Sequence, residues 1–148
     1  MVARGRRGGR IAVFQALYEA DTSRHAPLAA FRRICGEGRL PDETVTFARD
    51  LIESVLRQQD EIDGMITEHA PAWPVAQLSP VDRNILRLAI CEMLRDNGAP
   101  VSVIINEAVE LAKGYGSDKS AKFVNGVLGS VARQRDELLT DQPTTKRG

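Results

Sequence analysis

The chain of 148 residues is long enough for one compact domain or two small helical subdomains, and its apolar fraction of 43%, with only 5% aromatic residues, favours a core of aliphatic side chains. The formal net charge is zero, but the first acid is Glu19, so a cluster of arginines stands unopposed before it and predicts an anionic partner at that end. The sequence has no apolar run of about 18 residues, no secretory signal pattern and no CxxC spacing between Cys35 and Cys91. These observations argue against membrane-spanning, secreted and disulfide-bonded classes, and we expect a cytoplasmic protein.

The first half of the chain predicts three helices. Residues 1–9 combine arginine with glycine and show no apolar period, which predicts a flexible arm. From Arg10 onward apolar residues recur at helical spacing, so the first helix is predicted to begin there, with the arginines at its start. Pro27 and Pro41 mark the starts of a short and a long helix. Residues 10–71 are therefore predicted to form a three-helix bundle.

The second half predicts a further helical group. Prolines around Trp73 make the best internal boundary. After it, Ser79-Pro80 predicts a capped helix start, and Asn97-Gly98 predicts its left-handed end. Two more helices follow before the apolar pattern fades. We expect a C-terminal helical bundle over 79–135 and a disordered tail over 136–148.

No segment shows the sustained alternation of a strand, which predicts an all-α fold of two small helical bundles packed together. The sequence does not indicate a catalytic centre. His25 and His69 lie in separate segments without metal-ligand spacing, and the glycines among the arginines follow no strand and lack the phosphate-loop pattern. We therefore expect no enzyme activity, no metal and no cofactor.

The N-terminal arginines are the strongest chemical feature of the sequence. The cluster consists of Arg4, Arg6, Arg7 and Arg10. Guanidinium groups bind phosphate oxygens in bidentate fashion and stack on exposed bases. On charge alone, a solvated and disordered N-terminus explains the cluster equally well. Its position at a helix start, where free backbone NH groups add partial positive charge, favours nucleic-acid binding.

A second basic set stands at the junction of the last two predicted helices. Its members are Lys113, Tyr115, Lys119, Lys122 and Phe123. Aromatic rings beside lysines in a glycine-containing turn can stack bases while the ammonium groups hold the backbone. Core packing is the competing explanation, since Phe123 fits the apolar stripe of its helix and Tyr18 can equally pack between helices.

Three blocks of sequence carry a resemblance. They are 10–18 (RIAVFQALY), 82–89 (DRNILRLA) with Glu92, and 105–113 (INEAVELAK) followed by 122–128 (KFVNGVL). In this order and spacing they resemble the NusB family of bacterial transcription antitermination factors over residues 4–132. The resemblance implies two packed helical bundles and an adaptor without catalysis, which binds the single-stranded boxA RNA of ribosomal RNA operons. It also implies NusE, a ribosomal protein of the small subunit, as partner, and assembly with other Nus factors on RNA polymerase, with no membrane involved.

The resemblance also places the site residues. Carried over by motif, the RNA-contacting set is Arg4, Arg6, Arg7, Arg10, Gln15, Tyr18, Lys113, Tyr115, Lys119, Lys122 and Phe123. The partner-binding candidates, on the fourth predicted helix, are Asp82 and Arg83. The chain departs from the family pattern at Gly8-Gly9 and at Gly129, and these departures bear on RNA affinity rather than on the family.

Two alternatives to an RNA-binding adaptor remain open. One is a NusB-like accessory domain related to RNA methyltransferases, which needs a downstream domain with a glycine-rich cofactor loop. The other is a protein-interaction module, as a homodimer, in which the arginines only add solubility. The RNA-binding hypothesis requires both basic clusters to lie on one side of the molecule. It also predicts that alanines at Arg6, Arg7 and Arg10 weaken RNA binding and leave thermal unfolding nearly unchanged.

Overall fold

The computed structural model describes residues 2–95 and 98–147, with side chains described for 5–95 and 98–136. Within these ranges every regular element is helical, so the prediction of an all-α fold is confirmed. None of the helices in the described ranges combines the length and apolarity needed to cross a membrane. The helices are α1 (Val2–Thr22), α2 (Pro27–Gly38), α3 (Asp42–His69), α4 (Pro80–Leu94), α5 (Val101–Tyr115) and α6 (Ser120–Arg147), with a 3-10 turn at Val75–Gln77.

Local sequence signals explain where several helices begin and end. The predicted cap of α4 is confirmed, because Ser79 Oγ accepts a hydrogen bond from the Asp82 backbone NH at 3.1 Å and a proline occupies the first turn. The prediction of a stop at Asn97-Gly98 falls partly outside the described residues. Of that pair, Gly98 has a φ of 86°, and α4 itself ends at Leu94.

Helix α4 is the centre of the fold. Every residue from 84 to 93 is buried, and α4 packs against α1 and α3 on one side and α5 and α6 on the other. A helix that is buried all round requires neighbours on all its faces. The first three and last three helices therefore share one continuous core, and their division into bundles over 10–71 and 79–135 stays a prediction.

The N-terminus differs from the predicted flexible arm over 1–9, because α1 already begins at Val2. The reason is close packing on α3. Gly9 is buried, and a Cβ placed there would lie 3.0 Å from Phe47 Cδ2 and 3.3 Å from Thr44 Cγ2. The glycine thus allows two helices to approach each other. At the other end, α6 continues to Arg147, whereas the sequence predicts a disordered tail over 136–148, and side chains beyond Asp136 are outside the described residues.

We expect Gly8→Ala to raise the free energy of unfolding by about 0.5–1 kcal/mol, because alanine is the better helix former and its methyl group would meet only Leu40 Cδ2, at 3.5 Å. Gly9→Ala is the matched comparison and should be the less stable variant, since its methyl group meets Phe47 at 3.0 Å. Urea unfolding of both variants measures the difference. A Gly8→Ala protein less stable than wild type would show that α1 does not continue through this position.

Candidate nucleic-acid interface

Helices α1 and α5 lie side by side and run in the same direction. Arg7 on α1 binds Glu107 on α5 with two hydrogen bonds, Nε to Oε1 at 2.9 Å and Nη2 to Oε2 at 2.7 Å. Farther along both helices, Gln15 Nε2 donates to Tyr115 Oη at 3.0 Å. Both contacts join residues 100 positions apart. Because the offset is the same at two points along the helices, α1 and α5 must be parallel. We call this surface the α1–α5 edge, formed by Arg7, Gln15, Tyr18, Glu107 and Tyr115.

The α1–α5 edge exposes two aromatic rings held by a buried one. The ring of Phe14, which is buried, lies 4.9 Å from that of Tyr115 and 6.0 Å from that of Tyr18, measured between centroids. Tyr18 is 39% and Tyr115 45% exposed. Rings that are fixed on one side and open on the other are suited to stacking on unpaired bases. Packing and base stacking, the two interpretations of Tyr18, are therefore compatible.

Arg7 is held in place and still accessible. Its side chain is 57% exposed, against 14% for Glu107. The hydrogen bond from Arg7 outweighs burial and lowers the pKa of the Glu107 carboxyl, so this acid is ionised at neutral pH. The carboxylate engages the Nε and Nη2 atoms, and Nη1 stays available to a phosphate oxygen. Arg6 lies with its guanidinium carbon 5.0 Å from the centre of the Phe47 ring.

Arg10 does not belong to the accessible surface. It is 4% exposed and forms a bidentate pair with Glu92 on α4, with Nε 2.8 Å from Oε1. Its guanidinium also lies 5.4 Å from the centre of the Phe47 ring. A strand of RNA meets no open face of this side chain, so the prediction that Arg10 contacts RNA does not fit the structure. The residue instead fixes α1 to α4.

The second basic set is mostly solvent-facing. Lys113, Lys119 and Lys122 are exposed, and Phe123 is half-buried against the core. The turn that carries them is closed by the backbone NH of Ser117, which donates to Ser120 Oγ at 3.0 Å. The set begins at the C-terminal end of α5, where Tyr115 contacts Gln15 of α1, whereas Arg7 contacts Glu107 about two helical turns earlier. That the two basic clusters serve one RNA strand stays a prediction. Among the described residues, no hydrogen bond or ion pair links Lys119 or Lys122 to α1.

Three remaining candidates are placed differently. The side chain of Arg4 lies outside the described residues. Arg83 is used within the chain, since it donates to Asp21 Oδ2 at 2.8 Å and to backbone carbonyls of the 3-10 turn and of Leu78. Asp82 has one buried carboxyl oxygen, Oδ1, without a hydrogen-bond partner in the described structure. That oxygen is enclosed by the chain itself and is not a surface group.

The described residues contain no group of three or more potential metal-ligating side chains. Both cysteines, Cys35 and Cys91, are buried free thiols. Burial raises the pKa of the Cys91 thiol to about 11, which keeps it protonated at neutral pH.

The family model of the NusB family matches residues 7–133 of the chain. The chain belongs to the NusB family. A transcription antitermination protein NusB of Dehalococcoides mccartyi (strain CBDB1) is 48% identical over 128 residues, covering 86% of this chain and 90% of the relative. Solved NusB of T. maritima has a TM-score of 0.82 at 37% identity, covering 86% and 90% of the two chains. A crystal structure of NusB and NusE with double-stranded RNA contains a chain that matches with a TM-score of 0.81 at 30% identity. The match covers 88% of this chain and 98% of that chain.

Membership of the NusB family establishes the function class. The curated NusB relatives are transcription antitermination proteins, and this chain is accordingly a transcription antitermination factor and not an enzyme. The solved structures also confirm the fold class predicted from the sequence. The match spans 90% and 94% of two relatives, both of which are NusB proteins.

Sequence reasoning missed four residues that organise the interface. They are Phe14, Phe47, Glu92 and Glu107. The two acids stand in the blocks that carry the NusB resemblance, but nothing in their local sequence indicates an arginine partner. In the sequence, the two phenylalanines look like ordinary apolar positions of their helices. Only tertiary packing shows that they support the exposed rings and arginines.

Proposed function

We propose that this antitermination factor binds single-stranded boxA RNA of ribosomal RNA operons together with NusE, and joins other Nus factors on RNA polymerase in the cytoplasm. The observation that carries the proposal is the α1–α5 edge, where an accessible arginine and two exposed tyrosines lie along one pair of helices. A lysine-rich turn follows Tyr115 along the chain. The RNA seen with the solved NusB and NusE complex supports the partner class.

Each side chain of the edge has a distinct role in this proposal. Arg6 and Arg7 hold phosphates, and Tyr18 and Tyr115 stack on bases. Gln15 positions Tyr115 through its amide NH and keeps its carbonyl oxygen for a base edge. The lysine-rich turn extends the phosphate track, with the half-buried ring of Phe123 beside it; its lysines are Lys113, Lys119 and Lys122. Arg10 acts as a positioning residue for α1.

The partner surface is proposed to be the groove between α1 and α2. Its walls are mostly apolar and include Ile11, Ile34, Leu40 and Val81. Gln15, Tyr18 and Tyr115 of the α1–α5 edge line it as well, so NusE and RNA would meet along this border. Asp82 follows Val81 in sequence, which places this candidate partner residue next to the groove. The other candidate, Arg83, supports this surface from within the chain instead of contacting the partner.

Arg7→Ala tests the RNA-binding role. We expect affinity for boxA-like RNA to fall about tenfold, since a charge-assisted contact is lost, and the salt dependence of log K to become shallower by about 0.7. Fluorescence anisotropy measures both, with NusE present and absent, against a scrambled strand and a duplex. Arg24→Ala, which removes an exposed arginine from the loop after α1, is the control. Unchanged binding by Arg7→Ala, or equal losses in both variants, contradicts the assigned role.

A further inference from the structure

Three arginines outside the α1–α5 edge line a single hollow between α2 and α3. Arg32 is on α2, Arg39 follows its last residue, and Arg49 is on α3. All three are exposed. Their guanidinium groups form no hydrogen bond or ion pair with the described side chains, and no carboxylate lines the hollow. The rest of the lining consists of Phe31, Cys35, Gly36, Leu40 and Val45.

The charges in this hollow are not neutralised, unlike those of neighbouring arginines. Arg33, the residue after Arg32, pairs with Glu19 and Glu37 on another face of α2. Within the hollow, Arg49 is close enough to Cys35 to oppose the effect of burial, which raises the pKa of that thiol. Uncompensated guanidinium groups that converge on a concave surface form a site for an anion.

The backbone at Arg39 provides an independent observation. Arg39 has φ 52° and ψ 45° and is the only non-glycine residue with positive φ in the described part of the chain. Glycine or asparagine is the usual residue at a left-handed helix end, because a longer side chain is strained there. The chain thus accepts strain at the position that places a third guanidinium group in the hollow. Such strain is typical of functional positions.

The hollow lies close to Arg7, the accessible arginine of the α1–α5 edge. Leu40 lines both this hollow and the groove between α1 and α2, and a Cβ on Gly8 would lie 3.5 Å from Leu40 Cδ2. Gly8 follows Arg7 and Leu40 follows Arg39, so the Cα atoms of the two arginines are no more than about 17 Å apart. A few nucleotides of a single strand cover that distance.

We propose that Arg32, Arg39 and Arg49 form a second phosphate site, which binds the RNA backbone that flanks the segment held at the α1–α5 edge. This inference rests on the proposed RNA-binding function. The short distance between Arg7 and Arg39 favours a continuing RNA strand over an acidic protein segment as the occupant. The site recognises phosphates without reading bases, and it therefore lengthens the RNA footprint without adding sequence specificity.

The test compares a short boxA-like RNA with the same RNA extended by uridines at its 5′ or its 3′ end. We expect wild type to bind one extended RNA more tightly than the short RNA. Arg39→Gly, Arg32→Gln and Arg49→Gln should each reduce the affinity for that RNA by about fivefold, and make its salt slope shallower by about 0.7, with no change for the short RNA. Arg39→Gly also removes the backbone strain, so its unfolding midpoint should equal or exceed that of wild type.

The controls separate the two proposals. Arg24→Gln makes the same charge change outside the hollow and should leave both RNA affinities unchanged. If wild type fails to bind the short RNA, the proposed function fails. If it binds the short RNA but gains nothing from either extension, or if the three variants bind the extended RNA as wild type does, the second phosphate site is refuted. Loss of polyglutamate binding alone in these variants would identify an acidic protein as the occupant, and would equally overturn the proposal.

Discussion

Replacing Glu92 by Gln is expected to lower the free energy of unfolding by about 3–5 kcal/mol, because it leaves the Arg10 guanidinium charged and buried without its carboxylate. Both side chains of this pair are almost completely buried, at 5% and 1% exposure. Urea or thermal unfolding of the purified variant measures the loss. Arg10→Ala should have a comparable effect, in contrast to the sequence-based prediction that alanine at this position leaves unfolding nearly unchanged.

The control for this prediction is the double variant Arg10→Met, Glu92→Met. Two apolar side chains of similar length leave no buried charge and should recover most of the lost stability. The Arg7→Ala variant should unfold at nearly the wild-type midpoint, since the Arg7–Glu107 pair is largely solvated on the arginine side. If Glu92→Gln is as stable as wild type, the pair does not hold α1 against α4.

Three of the arginines that look alike in sequence thus divide into distinct roles. Arg7 is accessible, Arg6 lies over an aromatic ring, and Arg10 is buried. Local periodicity places all of them at the start of the first helix but cannot distinguish them. The difference depends on a partner 82 positions away in sequence, Glu92, and no local pattern indicates a pairing over that distance.

The helices were more predictable than their packing. Proline starts, the Ser79 cap and apolar periodicity act within a few residues, and the structure agrees with them. The glycines at positions 8 and 9 were misleading, because glycine favours a flexible segment locally yet also permits close helix contact. Which effect prevails depends on whether another helix lies opposite, and here Thr44 and Phe47 of α3 do.

The second prediction with a large expected effect concerns Arg83, which joins α4 to α1 and to the segment before it. Its guanidinium donates to Asp21 Oδ2 at 2.8 Å and to the carbonyl oxygens of Val75 and Leu78 at 3.0 and 2.9 Å. Arg83→Met should lower the free energy of unfolding by about 2–3 kcal/mol, because these acceptors are partly buried and lose their donor. Arg24→Met, at an exposed arginine, should change it by less than about 0.5 kcal/mol.

The pH dependence of this loss identifies its cause. Burial tends to raise the pKa of Asp21, but hydrogen bonds from Arg83 and Asn84 outweigh it, so the net shift is downward. A carboxylate with a depressed pKa stabilises the fold fully above its unfolded value of about 3.9, and this contribution is lost as the pH falls through the folded pKa. The stability gap between wild type and Arg83→Met should therefore be constant near neutral pH and shrink below about pH 4. If Arg83→Met instead unfolds like wild type but loses NusE binding, Arg83 contacts the partner directly.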